Sequence, residues 1–353
     1  MSRFQINIYP QHDGGRVLTN IGPRAQQLRL TTLDPGGCGV CSWRVPWSVN
    51  QTPNWVGANF RVDVIDNRGI FWAGRMERFE RLHDATTGDT WSVTAVGFYA
   101  NADDQIYTAQ DVGGLALNTI ITNVATNLMP QIGATSITDP GYTLSGASAI
   151  TLRMYKGAKT LGWVEIAGTS TNGPQVRYVY PDADRTIRLT LKPRPTSPTV
   201  RLRLSQMRSY HFGFDLSQYA NRVDLQYNLG ASTVTVNDTV EQDASHMKLI
   251  RSRLLVNDEI TQSADATQFA TTELERRSAR RMRATTLVLN ADARPTDDKG
   301  RAIPLHRVRS SEVARILDIN TVFGAEAGLS YEDTFLIVGT DYDEESGTLT
   351  ITP

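Results

Sequence analysis

Short segments in which apolar and polar residues alternate recur along this chain, and they constrain its fold more than any other feature. In the stretch Asn221–Asn290, the segment Arg222–Tyr227 places its apolar residues on one side and its polar residues on the other. A period of two is typical of a β-strand with one buried face. Gly230–Ser232 predicts a turn, and Thr233–Val236 predicts a second strand of the same kind.

The same stretch continues with a polar run near 265–282, whose composition favours a surface helix. Thr285–Asn290 then returns to a β pattern, with Leu287 and Leu289 on one side. Strand, hairpin, helix and strand together predict a small barrel or sheet with one helix against it. No set of residues in this stretch has the pattern of a catalytic site.

Residues 1–108 predict a β domain with five or more strands. The candidate strands are Gln26–Leu33, Val40–Trp47, Phe60–Asp66, Ile70–Gly74 and Trp91–Val96. Turns are predicted at Asp66–Gly69 and Thr87–Asp89, because Asn and Gly tolerate a positive φ. Several strands joined by short turns are typical of a barrel or a sandwich.

The first β region contains a cluster of tryptophans: Trp43, Trp47, Trp55 and Trp72. Aromatic residues at this density are usually part of a core. A tryptophan in a loop, such as Trp55, also suits a protein–protein interface.

Residues 109–196 predict a small α/β domain. Leu117–Leu128 has the spacing of an amphipathic helix, and a second helix is predicted near 158–167, burying Leu161 and Val164. A hairpin is predicted from Val176–Tyr180 and Thr186–Leu191. Three prolines follow closely and predict a domain boundary: Pro193, Pro195 and Pro198.

Residues 197–353 return to β patterns and end in a predicted hairpin with Leu349 and Ile351 inward. Both β-rich regions end alike, with an apolar strand into a glycine, a charged arm, a second glycine and a final strand. The glycines are Gly74 and Gly88 in the first region, and Gly339 and Gly347 in the last. We therefore hypothesise a duplication, which requires both regions to share their strand order.

Composition excludes several functional classes. The chain has 353 residues, 40% of them hydrophobic, which is enough for two or three domains with cores. The formal net charge is −1, so the composition does not indicate the basic surface that is typical of nucleic-acid-binding proteins. Met1–Pro10 alternates like a strand and lacks the apolar core of a signal peptide. With two cysteines and no long apolar run, the chain is expected to be soluble, in a reducing compartment.

Cys38 and Cys41 form a Cys-x-x-Cys motif. A structural zinc site needs four ligands, and no second pair is present. A redox motif would open a helix, whereas this one precedes a predicted strand. The motif therefore predicts a loop with two free thiols.

Single histidines and the last acidic turn carry no catalytic or metal-binding pattern. The histidines are scattered at His12, His83, His211, His246 and His306. Asp341, Asp343 and Glu345 lie before Gly347 but do not match the spacing of an EF-hand. They predict a solvated hairpin turn, and the Asp182 and Asp184 pair has the same interpretation.

Five arginines form a basic group on or after the predicted helix: Arg276, Arg277, Arg280, Arg281 and Arg283. Glu273 and Arg277 have the spacing of a helical ion pair, so a salt-bridged surface is the default interpretation. The alternative is a contact with an acidic neighbouring subunit or with passing DNA.

The glycine-rich phosphate loops and the Gly-x-Ser-x-Gly nucleophile motif are absent from the sequence. A glycosidase needs two carboxylates at a defined separation. Carboxylate pairs are common in this sequence, but their separation in space cannot be read from it, so a glycosidase is not excluded. The sequence predicts no catalytic residue, no cofactor, no metal and no small-molecule substrate.

The order of segments resembles the baseplate hub, or tail-tip minor tail proteins, of tailed bacteriophages. The resemblance rests on these segments in this order: Phe60–Gly74, Leu115–Leu128, Arg188–Pro193, Tyr219–Val223, Thr286–Leu289, Phe335–Gly339 and Gly347–Thr352. The resemblance covers nearly the whole chain. It depends on the order and the local sequences of these segments rather than on one invariant motif.

The resemblance implies a mainly β fold with an α/β insert. Two tube-like β-barrel domains, at residues 1–108 and 197–353, would flank a small α/β domain at 109–196, with the surface helix near 265–282. Three subunits would form a pseudo-sixfold ring that adapts the tail tube to a threefold tip and encloses the channel for the genome. Since the chain ends at Pro353, no extra lytic or spike domain is expected, and any fourth domain at Asn237–Gln262 is reduced or missing.

The implied protein is a structural virion component at the tail tip, assembled in the host cytoplasm and acting in host entry and genome ejection. Its implied partners are two further copies of itself, the distal tail and tail tube proteins, a central tip or spike protein, and DNA in transit. Two other functions stay open from the sequence. They are a tail-associated enzyme that degrades cell-wall or capsular glycan, and a receptor-binding module.

Overall fold

The structure is a computed structural model, and it shows a mainly β protein. It describes residues 4–10, 16–34, 36–46, 53–57, 59–84, 88–100, 136–138, 163–166, 175–191, 197–213, 219–239, 250–257, 260, 262–278, 281–323 and 330–353. The predicted helix at Leu117–Leu128 lies outside these residues. No helix in the described ranges combines the length and the apolar character needed to cross a membrane.

The strands fall in three successive regions of the chain. The first region contributes β1 (Gln5–Tyr9), β2 (Thr19–Asn20), β3 (Gln26–Leu33), β4 (Gly37–Pro46), β5 (Arg61–Asp66), β6 (Gly69–Asp84) and β7 (Gly88–Gly97). The middle region contributes β8 (Ser136–Thr138), β9 (Trp163–Ile166), β10 (Gln175–Pro181) and β11 (Thr186–Leu191).

The last region contributes more strands and the two helices with described bounds. Its elements before the second helix are β12 (Val200–Leu202), β13 (Met207–Gly213), β14 (Arg222–Tyr227), β15 (Ser232–Asn237), β16 (Ser252–Asn257), α1 (Ser263–Ser278), β17 (Arg281–Leu289), β18 (Thr296–Asp297) and β19 (Val313–Ile316). The chain then continues with α2 (Ile319–Phe323), β20 (Ser330–Tyr331), β21 (Thr334–Leu336), β22 (Gly339–Asp343) and β23 (Thr348–Thr352).

One twelve-stranded sheet joins the two ends of the chain. Its order is β13-β17-β23-β22-β3-β4-β7-β6-β5-β1-β2, and β20 pairs with β17 beside this path. The first eight strands of the path, from β13 to β6, are antiparallel to each neighbour. We call this part the eight-stranded face.

The two β-rich regions meet at one strand pair within that face, which we call the seam. Here β22 of the last region lies antiparallel to β3 of the first, with Tyr342 opposite Leu30 and Thr340 opposite Thr32. The Thr32 and Thr340 hydroxyls hydrogen-bond at 2.6 Å beneath the sheet, and the amide of Ser310 donates to Thr32 Oγ1 at 2.9 Å. The seam is therefore a continuous ladder whose two buried threonine hydroxyls are hydrogen-bonded.

The two regions also share the order in which their strands pair. In the first region the order is β3-β4-β7-β6-β5-β1, and in the last it is β13-β17-β23-β22, continuing through β21 to β19 and β12. The matched strands also occur in the same order along the chain. In the first region these are β1, β3, β4, β5, β6 and β7; their counterparts in the last region are β12, β13, β17, β19, β21 with β22, and β23. One direction differs, since β1 is antiparallel to β5 whereas β12 is parallel to β19. The order is the one that the duplication hypothesis requires, and the duplication itself stays a hypothesis.

In each region a single stretch of chain crosses from one sheet layer to the other. β6 pairs with β5 up to Arg75 and with β7 from Gly74 onward. In the last region β21 pairs with β19, and after Ile337 and Val338 the chain re-enters pairing as β22. Gly74 lies so close to β7 that a Cβ there would come within 2.1 Å of the Val96 carbonyl oxygen. This close approach requires glycine.

The expected fold class is confirmed as mainly β, but closed barrels are not seen. Within the described residues, the twelve-stranded sheet ends at β13 on one side and at β2 on the other. A separate sheet, β18-β12-β19-β21, shares its hydrophobic core. The main core extends beneath both sheets, with the fully buried side chains Trp43, Trp72, Ile6, Ile8, Leu28 and Met76 among the largest.

The middle region forms a four-stranded sheet of order β8-β11-β10-β9. The predicted hairpin is confirmed as β10 and β11, with Val179 opposite Leu189. The predicted helix near 158–167 is wrong over Trp163–Ile166, which form β9 against β10. The local sequence Trp-Val-Glu-Ile suits either state, and the neighbouring strand decides it.

The stretch Asn221–Asn290 is divided between two units. β15, β14 and β16 form a three-stranded sheet, and α1 packs Ala266, Ala270 and Leu274 on its buried face. The helix ends at Ser278, before the predicted limit at 282, and β17 pairs with β13 and β23 in the large sheet instead. The predicted hairpin of β14 and β15 is confirmed, while β16 was not anticipated.

Candidate functional site

The eight-stranded face makes up most of the twelve-stranded sheet, and its two sides differ in chemistry. The apolar side contacts the core through residues such as Leu28, Cys41, Val93, Leu287 and Ile351, all fully buried or nearly so. Because strand residues alternate between the two sides, the other side is polar. The sequence pattern of alternating residues predicts this arrangement.

Registers between neighbouring strands place the polar side chains in continuous rows. They are mostly hydroxyl and charged groups: Arg29, Ser42, Arg44, Arg78, Glu80, Ser92, Thr94, Asp341, Asp343, Thr348 and Thr350. Three arginines and three carboxylates balance each other in this group. This side is therefore mostly polar and close to neutral, with Val40 as an exposed apolar residue on it, and it suits contact with water better than contact with a second apolar layer.

An ion pair crosses the seam on the polar side. Arg29 donates to Asp341 in a bidentate manner, with Nε at 2.8 Å from Oδ1. Arg29 is 61% exposed, so the pair adds little free energy of folding. Its effect is to fix the register of β3 against β22.

A buried ionic cluster holds the two β-rich regions together behind the sheet. The carboxylate of Asp66, in the turn between β5 and β6, accepts from His306 Nε2 at 2.8 Å and from Arg307 Nε at 2.7 Å. Phe4 and Phe71 surround the His306 ring, with centroids 4.8 and 4.7 Å away. Burial alone would raise the pKa of Asp66, but the hydrogen bonds from Arg307 and His306 hold that pKa well below its usual range.

A second cluster connects all three regions through Arg309. Its guanidinium donates to Asp182 of the middle hairpin at 2.7 Å and to the carbonyl of Phe71 in β6. Burial opposes ionisation of Asp182, but the charge of Arg309 outweighs it and lowers the Asp182 pKa. Burial likewise raises the pKa of Glu312, whose carboxylate accepts from the Arg309 amide at 2.8 Å. These groups stabilise the junction of the regions.

Both cysteines are free and buried, and both lie on strand β4 rather than in the predicted loop. The main-chain register of β3 and β4 draws this segment into the sheet. Burial raises the pKa of Cys38 to about 11, although the nearby Arg309 acts in the opposite direction. Burial also raises the pKa of Cys41. Neither thiol has the exposed, electropositive setting of a reactive cysteine.

The remaining candidate residues are placed apart from one another. His83 is exposed beside Asp89, His211 is exposed on β13, and His306 is buried against Asp66; His12 and His246 lie outside the described residues. Asp343 accepts from the amide of Glu345 in the hairpin turn, as expected of a solvated turn. Among the described residues, no cluster of His, Cys, Asp or Glu could hold a metal ion.

The predicted basic group is not a single helix face. Arg277 pairs with Glu273 at 3.1 Å on α1, as the spacing predicts, whereas Arg283 lies on β17 and pairs with Glu332 at 2.9 Å. Arg280 lies outside the described residues. Trp43, Trp55 and Trp72 are buried in the core, so the interface interpretation of Trp55 is wrong, and Trp47 lies outside the described residues.

An open cleft of about 840 Å³ lies beside the seam. Its lining includes Glu344, Glu345, Arg68 and Arg294, with His306 at its base. The His306 side chain is only 4% exposed, and its Nε2 is bound to Asp66. The Nε2 atom of His306 is therefore held by Asp66, which does not line the cleft.

The eight-stranded face ends in two strand edges that lack a neighbour in the part of the chain the structure describes. On one side, β13 pairs only with β17. On the other, Glu77–Asp84 of β6 pairs only with β7, because the pairing of β6 with β5 ends at Arg75. Open edges of this length expose main-chain groups that can pair with another chain.

Comparisons with known proteins place this fold among phage tail proteins. Neither a protein-family model nor a curated protein sequence matches the chain. Among solved structures, a tail protein from Neisseria meningitidis MC58 matches with a TM-score of 0.64 at 13% identity, over 99% of this chain and 95% of that one. The 43 kDa tail protein of prophage MuSo2 from Shewanella oneidensis matches with a TM-score of 0.61 at 13% identity, over 99% and 97%.

A prophage tail protein, gp18, from Listeria monocytogenes EGD-e also matches, with a TM-score of 0.58 at 12% identity, over 99% of this chain and 94% of that one. All three matches span nearly the whole of both chains. The resemblance to phage tail proteins is thereby confirmed at the level of the fold.

Proposed function

We propose that this chain is a structural hub protein of a phage tail tip, in which three copies form a pseudo-sixfold ring around the channel for the genome. The observation that carries the proposal is the seam, because it joins two regions of the same strand order side by side within one continuous sheet. Two like units in each copy would give six units in a ring of three. The shared fold with tail proteins supports the same role.

In this proposal the β-rich regions, residues 1–108 and 197–353, supply two tube-like units, and β14, β15, β16 and α1 form a separate small sheet and helix within the second region. Each tube-like unit contributes four antiparallel strands to the eight-stranded face and a second, smaller layer behind it. The middle region, residues 109–196, is the α/β insert that connects them. A barrel is thus completed by several copies rather than within each unit, which agrees with the open ends of the sheet.

The dimensions agree with a water-filled channel. Three copies of an eight-stranded face would supply about 24 strands, and strands lie about 4.8 Å apart, so the circumference is about 115 Å and the diameter about 37 Å. Barrels of roughly 16–18 strands already leave an aqueous channel. The polar side of the face would line it, and its balanced charges would limit both adhesion and repulsion of DNA in transit.

The partners follow from this position. One end of the ring would contact the tail tube and distal tail proteins, and the other a central tip or spike protein. Contact with DNA would be transient. The proposal includes no catalysis, no cofactor and no small-molecule substrate, and it places the protein in the virion at the tail tip, assembled in the host cytoplasm and taking part in host entry and genome ejection.

Mass measurement and electron microscopy test the proposal. We expect the purified chain, at increasing concentration, to form a species of three times its 39.1 kDa mass, and the chain to be present at the tip of purified tails. A protein that stays monomeric and is missing from tails would overturn the proposal. Turnover of peptidoglycan or capsular polysaccharide by the purified chain, or its tight binding to host cells as a monomer, would favour the two alternative functions.

A further inference from the structure

We propose that β16 (Ser252–Asn257) is a docking strand on which a different protein lays an extended segment. The strand defines the chemistry of that segment, in which apolar residues alternate with acidic ones. This inference goes beyond the proposed ring and does not depend on it, because β16 is not part of the eight-stranded face.

The small unit that contains β16 has a core of its own. In its sheet, of order β15-β14-β16, the central strand packs Val223, Leu225 and Tyr227 against helix α1. The helix lies across β15 and β14, and β16 follows β14 in parallel at the edge. Leu255 is partly buried against the core, whereas four of the six residues of β16 are exposed. Most of this strand is therefore open to solvent.

The side of β16 away from α1 is an apolar strip. Leu254 and Val256 lie on this side and are 58% and 61% exposed, and Ile250, just before the strand, is 53% exposed. Aliphatic side chains that follow one another along a strand are typical of an interaction surface. The other edge strand, β15, presents hydroxyl and amide groups on this side of the sheet, at Thr233, Thr235 and Asn237.

The main chain of β16 is open on its far side. The Arg251 carbonyl accepts from the Arg222 amide, and alternate residues of a parallel strand point to the same neighbour. The main-chain groups of Leu254 and Val256 therefore point away from β14, where no other described strand pairs with them. Such a row is a template for an added strand. Lipid is a poorer occupant, because unpaired main-chain groups are costly in hydrocarbon.

The side of β16 towards α1 defines the charge of the partner. Arg253 lies opposite Val223 of β14, so it shares the side of the core, and both Arg253 and Arg251 are exposed. Acidic residues beside these arginines would stabilise an added strand, whereas like charges would destabilise it. Two copies of β16 side by side would bring arginines together. The charges thus favour an acidic segment of another protein over a second copy of this chain.

The protection of this edge is selective. Edge strands are usually protected from pairing by proline, bulges or charge. β16 contains no proline, and its register with β14 is unbroken from Ser252 to Asn257. Its two arginines repel a basic strand and attract an acidic one, which is how a binding edge discriminates between partners.

Three labelled synthetic peptides of strand length test the contact. The first alternates valine with glutamate, the second alternates valine with lysine, and the third has the composition of the first with its valines and glutamates in separate blocks. Fluorescence anisotropy with the full chain should show saturable binding of the first peptide, and binding at least about tenfold weaker for the other two. Equal binding of all three, or no saturable binding of the first, would overturn the proposal.

Substitutions at exposed positions locate the site. Leu254→Asn should weaken binding of the glutamate peptide by at least about tenfold, because it removes an apolar contact. Thr233→Asn, on the same side of the other edge strand, is the matched control and should leave binding unchanged. Arg253→Glu should remove the preference for glutamate over lysine, whereas Arg203→Glu, an exposed arginine outside this unit, should keep it. Equal effects within either pair would contradict the assigned site.

Hydrogen exchange and two further assays separate the possible occupants. The amides of Leu254 and Val256 should gain protection when the glutamate peptide binds, because a new ladder covers them. Sedimentation with phosphatidylglycerol vesicles that Leu254→Asn abolishes would assign the strip to a membrane, and self-association that it abolishes would assign it to a second copy. Either result would overturn the proposal. A chain that binds the peptide as described but stays monomeric and is missing from tails would contradict the ring alone.

Discussion

At the scale of single residues, the chain is held together by ionic contacts between positions far apart in sequence. Asp66 and His306 are 240 residues apart, and Arg309 reaches Asp182 across 127 residues. Nothing in the sequence marks these pairs, because each member looks like an ordinary surface charge in its own segment. Their partners are defined only when the last region folds against the first.

Replacing Asp66 by Asn tests the first cluster. The folded-state pKa of this carboxylate is lowered, so its contribution to stability is complete above the unfolded value of about 4 and is lost as pH falls below it. We expect Asp66→Asn to lower the free energy of unfolding by about 2–4 kcal/mol at pH 7. Denaturant unfolding at pH 7 and at pH 3 measures both the loss and its pH dependence.

The variant should also show a smaller decline in stability between pH 4 and pH 3 than the native chain. Asp292→Asn, at an exposed position, serves as the control and should change the free energy of unfolding by less than about 0.5 kcal/mol. Equal effects of the two substitutions would contradict the assigned role of Asp66.

Thiol labelling tests the placement of Cys38 and Cys41. Because both are buried and burial raises both pKa values, the native protein should not react with a thiol reagent at pH 8, whereas the unfolded chain should release two thiols. Ser209→Cys gives the positive control, with one reactive thiol on an exposed strand. Rapid labelling of the native chain, or a disulfide between the two cysteines, would show that β4 is wrongly placed.

At the scale of elements, the strands visible in the sequence are those whose alternation is local and regular. The hairpins of β14 with β15 and of β10 with β11 were predicted because both partners and their turn lie within a few residues. β9 and β16 were missed because their short segments become strands only through a neighbour. The seam was also beyond prediction, since it joins β3 to β22 across about 300 residues of chain and alternation does not identify a distant partner.

The end of helix α1 also could not be predicted from the local sequence. Its polar composition predicted a helix near 265–282, and the structure ends it at Ser278. Met282 lies in β17, whose Leu287 and Leu289 pair with Ile351 and Leu349 of the last strand. A long-range ladder thus fixes where the helical pattern stops, and local propensity does not.

Packing between elements predicts that Gly97 cannot be enlarged. A Cβ at Gly97, the last residue of β7, would lie 1.8 Å from the Cys38 carbonyl oxygen and 2.9 Å from the Cys38 Cβ. We expect Gly97→Ala to cost about 1–3 kcal/mol of stability, because β4 and β7 must separate. Thermal and denaturant unfolding measure the loss.

Gly213→Ala is the matched control, because Gly213 also ends a strand of the large sheet and its Cβ would meet nothing nearer than Thr285 Cγ2 at 3.6 Å. It should be close to neutral, within about 0.5 kcal/mol. If Gly97→Ala were equally neutral, the close contact of β4 and β7 would be wrong.

At the scale of the whole molecule, the sequence predicted the class of fold and the family resemblance, and the structure changed the picture of the barrels. Two closed cylinders were expected, whereas the described strands of both regions form one open sheet. Alternation of apolar and polar residues shows that a strand has one polar side. It does not show whether the sheet closes into a barrel within one chain or between several chains. The polar side and the open edges become interpretable only when the strand order is known.

The central claim is that the eight-stranded face of each copy forms one third of a channel wall, and a cryo-EM map of the assembled tail tip tests it most directly. The account predicts three copies of this chain in one ring, with about 24 antiparallel strands around an open channel. A single copy, six copies in a ring, or a tip whose channel wall is built without the eight-stranded face would contradict it.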